Sequence, residues 1–113
     1  MPKKALDFYE VGKIAMALAD VEESSLHGVT SWKVCGKLLT CPAIHGSAEP
    51  NSLMVRIGLV ERAQLLSTAP DTYYLTDHYL NHPVILVRLS KIDRKALKSL
   101  LQTARLFVSA KTK

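Results

Sequence analysis

The chain has 113 residues, 48% of them hydrophobic and 22% charged, with a formal net charge of +5 at pH 7. This length is typical of one domain, and this composition excludes an intrinsically disordered protein. Two cysteines are too few for a disulfide framework or a four-ligand zinc site, and no apolar run approaches the ~18 residues of a membrane span. Asp7 and Glu10 interrupt the region where a signal peptide would be apolar. We therefore expect a single cytoplasmic domain over residues 1–113, with no membrane partner.

The positive charge is concentrated in the C-terminal third. Residues 83–113 hold eight Lys or Arg and one acidic residue, whereas the remainder holds seven basic and nine acidic residues. A basic pole of this kind favours polyanionic partners through the release of counterions, although it also serves solubility.

The first half of the chain predicts a helix and a hairpin. Apolar residues recur every three or four positions over residues 4–19, which indicates an amphipathic helix. Residues 31–42 predict a β-hairpin that turns at Gly36-Lys37, since glycine in the first central position suits a type II′ turn. That register places on the core face Trp32, Val34, Leu39 and Cys41. It places on the opposite face Lys33, Cys35, Leu38 and Thr40.

The second half predicts a loop, two clear strands and two helices. In chain order they are a loop over 43–51, a strand over 52–57, a helix over 60–67, a possible short strand over 73–75 and a buried strand over 84–89. The pattern predicts Asp93 as the N-cap of a last helix. The order is helix, three or four strands, helix, one or two strands, helix. It predicts an α+β two-layer sandwich, with helices on one face of an antiparallel sheet.

Three groups of segments carry a family resemblance. They are Val21-Glu22-Glu23 with Trp32-Lys33-Val34 and Gly36-Lys37-Leu38, then Leu53-Met54-Val55-Arg56, then Tyr73–Tyr79 with Pro83 and Val84–Leu89. Together they span most of the chain and resemble the MmcQ/YjbR family. The resemblance implies a CyaY-like, frataxin-like fold and a DNA-binding role. The loop over 43–51 is longer than is usual in that family, and His82 stands where an aromatic residue is common.

Two surfaces are candidates for nucleic-acid binding. The outward face of the predicted sheet carries Lys33, Arg56 and Arg88. Its apolar side chains are Cys35, Leu38, Met54, Val84 and Leu86. The last helix adds one polar stripe, made of Arg94, Lys98, Gln102 and Arg105. We expect a small non-enzymatic domain that binds DNA through the six cations. The alternatives are an ordinary solvated helix face, and a homodimer or another protein partner on the sheet face.

The segment around His78 has no clear chemical role. His78 and His82 would share one side only in a helix, and Pro83 argues against a helix here, so a tight turn is favoured in which a backbone carbonyl holds the histidine. The acidic residues are interspersed with lysines, which disfavours iron binding. We therefore predict no catalytic residue, no metal site and no cofactor, and Trp32, His78 and Tyr79 stay motif residues of unknown role. A small-molecule or enzyme site near His78 and Tyr79 is a third option.

Overall fold

A computed structural model describes residues 6–26 and 28–110, which form four helices and a six-stranded antiparallel sheet. The helices are α1 (Phe8–Met16), α2 (Leu59–Thr68), α3 (Asp77–Leu80) and α4 (Arg94–Ala110). The strands are β1 (Val21–Leu26), β2 (Val29–Val34), β3 (Lys37–Pro42), β4 (Ser52–Arg56), β5 (Tyr73–Tyr74) and β6 (Val84–Arg88). Their order in the sheet is β1-β2-β3-β4-β6-β5. The predicted α+β class is confirmed.

The main core lies between one face of the sheet and the helices α1 and α4. Each helix buries the apolar stripe that its three- and four-residue spacing predicts, for example Val11 of α1 and Leu97 of α4, which are fully buried. Aspartates cap both helices. The Asp7 carboxylate accepts from the Glu10 N–H at 2.9 Å, and the Asp93 carboxylate accepts from the Ala96 N–H at 2.7 Å, as predicted for Asp93. We call the opposite face of the sheet the outer face.

The hairpin between β2 and β3 turns one residue earlier than predicted. Val34 lies opposite Lys37, so the two central residues are Cys35 and Gly36. Their φ angles are +54° and +75°, which is the left-handed pair of a type I′ turn rather than a type II′ turn. The twist of a type I′ turn matches that of the flanking strands. Gly36 has no Cβ, so it adopts the positive φ of this turn without steric strain.

A β-bulge changes the face on which Cys41 lies. The register shifts between Trp32 and Lys33, so that Trp32 pairs with Thr40 rather than with Leu39. One extra residue in β3 reverses the alternation beyond it. Cys41 therefore lies opposite Met54 on the outer face, and its predicted place in the core was wrong.

The outer face is partly covered, because α3 and residues 43–51 lie across it. Tyr79 of α3 packs there on Val84 and Leu86, joined by Ala43, Ala48, Met54, Tyr74 and Leu75. The predicted turn at this place is a short helix, and not all helices lie on one face. Pro83 disfavours a helical conformation for the residue before it, His82, and α3 has already ended at Leu80.

Candidate functional site

The six predicted cations lie on two opposite surfaces. Alternation along β4 and β6 places Arg56 and Arg88 on the outer face with Met54 and Leu86. They occupy opposite ends of that strand pair, since Arg56 pairs with Val84 and Arg88 with Ser52. Lys33 also lies on the outer face, opposite Leu38. The other three are Arg94, Lys98 and Arg105, and they belong to α4, on the far side of the sheet. No single surface contains all six.

Arg88 of β6 binds two loops, one that contains Glu49 and one that contains Pro70 and Asp71. Its guanidinium forms a two-point ion pair with Glu49, at 2.9 Å and 2.7 Å, and donates to the carbonyls of Pro70 and Asp71 at 3.1 Å and 3.0 Å. It also lies 4.3 Å from the centre of the Tyr74 ring. The hydrogen bond from Arg88 lowers the pKa of the Glu49 carboxyl. The positive charge of Arg88 is thus already paired with the Glu49 carboxylate within the fold.

The polar stripe on α4 lies along the seam between α1 and α4. Arg94 forms an ion pair with Glu10 of α1. Arg105 donates to the carbonyl of Ala19 at 2.7 Å, and its other nitrogen lies 3.6 Å from the Asp20 carboxylate. One end of the stripe therefore contacts α1, and the other end contacts the turn that follows α1.

The exposed cations of α4 cluster at its N-terminal end. Lys98 is exposed, and so are Lys91, just before the helix, and Lys95 in its first turn. Among residues 6–26 and 28–110, these three lysines take part in no ion pair. With Arg94 they form what we call the α4 basic patch. Lys91 and Lys95 belong to the basic pole of residues 83–113, but they fall outside the four-residue stripe, so the helical spacing does not predict them as site residues.

A pocket of about 500 Å³ opens on the outer face. Its walls come from β2, β3, β4, α3 and the loop of residues 43–51. The lining residues are Val29, Leu38, Cys41, Pro42, Ile44, His45, Gly46, Met54, His78 and Tyr79. We call this the outer-face pocket. The sequence indicated it only through the suggestion of a small-molecule site near His78 and Tyr79.

Two stacked histidines form one side of the pocket. The rings of His45 and His78 lie 3.5 Å apart and within 7° of parallel, and Tyr79 meets His78 edge-on at 4.9 Å. Nδ1 of His45 accepts from the Ser47 N–H at 3.0 Å, so this nitrogen carries a lone pair. Burial, followed by the nearby His45 and His82, lowers the pKa of His78. His78 therefore stacks on a loop histidine, where the sequence predicted a backbone carbonyl as its partner.

Trp32 serves the packing of α1. It is only 2% exposed, and a Cβ built on Gly12 would lie 3.0 Å from Cζ2 of its ring. The absence of a side chain at Gly12 thus lets the helix approach the indole.

Neither a metal cluster nor a membrane helix is found in the described part of the chain. No three of its His, Cys, Asp and Glu side chains are placed to hold one metal ion. No helix within residues 6–26 and 28–110 has the length and apolar character needed to cross a bilayer.

Comparison with known proteins shows a similarity of fold but not of sequence. No family model and no curated protein sequence matches the chain. The fold is similar to the crystal structure of protein DR2400 from Deinococcus radiodurans, which contains the domain DUF419. The TM-score is 0.76 at 16% identity, over 100% of this chain and 86% of DR2400. At this identity the likeness shows the shared fold.

Proposed function

We propose that this chain is a non-enzymatic DNA-binding domain of the MmcQ/YjbR type, and that it contacts phosphates through the α4 basic patch. One observation carries the proposal: four cations lie within eight residues of one another on an exposed surface, and only Arg94 among them has an acidic partner in the described chain. Cations of this kind bind the phosphate backbone through counterion release and do not read base sequence.

The neighbouring side chains of α4 suit the same contact. Ser99, Gln102 and Thr103 are exposed on the helix and offer hydrogen-bond donors to phosphate oxygens. Asp93, the one acidic residue of the C-terminal third, caps the helix at Ala96. The patch therefore carries net positive charge next to the positive end of the α4 dipole.

The sheet cations are a weaker choice for a phosphate contact. Arg88 is held by Glu49, and Lys33 and Arg56 are half-buried, whereas the four residues of the α4 basic patch are exposed. They also lie on the far side of the sheet from α4, so one duplex cannot contact both sets. The proposal is thus narrower than the six-residue site expected from the sequence.

Paired variants decide between the two surfaces. We would measure the affinity of a fluorescent DNA duplex between about 50 mM and about 200 mM salt, where each phosphate contact contributes about −0.9 to the slope of log K against log [salt]. Lys95→Gln/Lys98→Gln should weaken binding and reduce the slope by about 1.8. Lys33→Gln/Arg56→Gln removes the same charge from the outer face and should leave the slope nearly unchanged. Binding that is absent at the lower salt, or indifferent to salt, would reject the proposal.

A homodimer or another protein on the sheet face stays a prediction. Residues 43–51 and α3 cover part of that face, with Leu86 fully buried, so less apolar surface is open there than the sequence suggested. Light scattering of the same samples measures the oligomeric state. If the wild type is a dimer and Leu38→Asp is a monomer, this alternative is favoured over DNA binding.

A further inference from the structure

The outer-face pocket has an apolar interior of a size that suits a small molecule. Leu38 and Met54 lie on adjacent strands at its base, Tyr79 closes one side, and Ile44 stands at the rim with 57% of its surface exposed. Its volume of about 500 Å³ falls within the range of known ligand pockets, roughly 300–1,000 Å³.

Three ionisable groups of this pocket, Cys41, His78 and Tyr79, have pKa values shifted toward their neutral forms. Burial raises the pKa of the Cys41 thiol from 9.0 to about 11, and burial also raises the pKa of Tyr79. Burial lowers the pKa of His78. All three shifts disfavour a charge inside, so a charged part of a ligand belongs at the rim.

Two cations stand at the end of the pocket where Leu38 lies. Lys33 is directly opposite Leu38, and opposed residues in a sheet have Cβ atoms about 4.5–5.5 Å apart. Arg56 follows Met54 by two positions on the same face, and its guanidinium lies 3.5 Å from the Leu38 carbonyl. Within the described residues neither cation forms an ion pair. Glu22, opposite Lys33 on β1, is exposed.

We propose that the outer-face pocket binds a small amphipathic carboxylate, whose apolar body lies on Leu38, Met54 and Tyr79 and whose carboxylate faces Lys33 and Arg56. Because Lys33 and Arg56 are both positively charged, an anionic ligand should bind more tightly than a neutral or cationic analogue of the same size. Lys33 and Arg56 are half-buried residues, and side chains of this kind place their methylene stems on apolar surface and their charged ends toward water. The proposal is independent of DNA binding, which involves the opposite layer.

Three probes with one chain length and different head groups test the proposal on the full chain. They are decanoate, decanol and decyltrimethylammonium, titrated below their aggregation limits and followed by amide chemical shifts. We expect saturable shifts around the pocket, with decanoate binding about fivefold or more tightly than decanol, and the cation weakest. Lys33→Gln/Arg56→Gln should abolish this preference, whereas Lys95→Gln/Lys98→Gln should preserve it.

A substitution at Ile44, on the exposed rim, tests where the ligand binds and should have little effect on stability. Ile44→Glu places a negative charge at the pocket mouth and should weaken decanoate binding, whereas Ile44→Lys should retain it. Shifts that do not saturate, equal affinity for the three probes, or shifts located away from the pocket would overturn the proposal. So would concentration-dependent shifts at the pocket without any probe, since a second copy of the chain would then occupy it.

Discussion

At the scale of single residues, the β2–β3 turn holds Cys35 in a conformation that suits other residues better. Its φ is +54°, a region that costs an ordinary side chain roughly 1–2 kcal/mol, whereas asparagine followed by glycine is the preferred type I′ pair. We expect Cys35→Asn to raise the free energy of unfolding by about 0.5–1 kcal/mol in urea denaturation under reducing conditions. Cys35→Ala keeps the strained backbone and should show no gain. A loss of stability in Cys35→Asn would contradict the type I′ assignment.

The ion pair between Glu49 and Arg88 predicts a pH-dependent stability. The pKa of Glu49 lies below its ordinary 4.5 because Arg88 donates hydrogen bonds to the carboxylate. The stabilisation is therefore fully present above pH 4.5 and is lost as the pH falls through the folded-state pKa. Glu49→Gln should be less stable than the wild type at neutral pH, and the two curves should converge in acid. Glu22→Gln, at an exposed carboxylate on β1, should not reproduce this convergence.

At the scale of elements, the contact between α1 and β2 depends on a glycine. A Cβ at Gly12 would lie 3.0 Å from the buried ring of Trp32, so a larger side chain forces the helix away from the sheet. Gly12→Val should reduce the free energy of unfolding by about 1–3 kcal/mol, measured in urea. Met16→Val makes a β-branched change at an exposed position of the same helix and should cost well under 1 kcal/mol. Valine has a higher helix propensity than glycine, so a gain in stability, or no loss, in Gly12→Val would contradict the close contact between Gly12 and Trp32.

Element types were predictable from periodicity, whereas local register was not. The buried strand at Val84–Arg88 and the capped helix after Asp93 follow from the apolar pattern alone. The bulge after Trp32 leaves no mark in that pattern, because a threonine or a cysteine suits either face of a sheet. The single turn of α3 was missed since its stability comes from Tyr79 packing on the outer face, a tertiary contact.

At the scale of the whole molecule, the charge count predicts a basic pole but not which cations are available. Arg88, Arg94 and Arg105 contact Glu49, Glu10 and Ala19, which lie 39, 84 and 86 positions away in sequence. Those contacts hold a loop, α1 and the segment after α1 in place. Only the folded chain separates these structural arginines from the exposed lysines of the α4 basic patch. The outer-face pocket was equally hidden, because its walls come from five separate segments.

The stacked rings of His45 and His78 should make the packing of residues 43–51 over the outer face depend on pH. Its rings join residues 43–51 to α3 at 3.5 Å, and the pKa of His78 lies below its ordinary 6.5 through burial and the nearby His45 and His82. The unfolded state therefore takes up a proton more readily than the folded state. The stabilisation from the stack is fully present above pH 6.5, and it is lost as the pH falls below 6.5 through the lower folded-state pKa of His78. Amide hydrogen exchange in residues 43–51, corrected for intrinsic rates, should be faster at about pH 5.5 than at about pH 7.5. His78→Phe keeps a stacked ring without a titrating group and should lose most of this difference, whereas His82→Gln, outside the stack, should retain most of it. Equal pH sensitivity in the wild type and His78→Phe would show that the loop is held by its contacts with Met54 and Tyr74 and not by the two imidazoles.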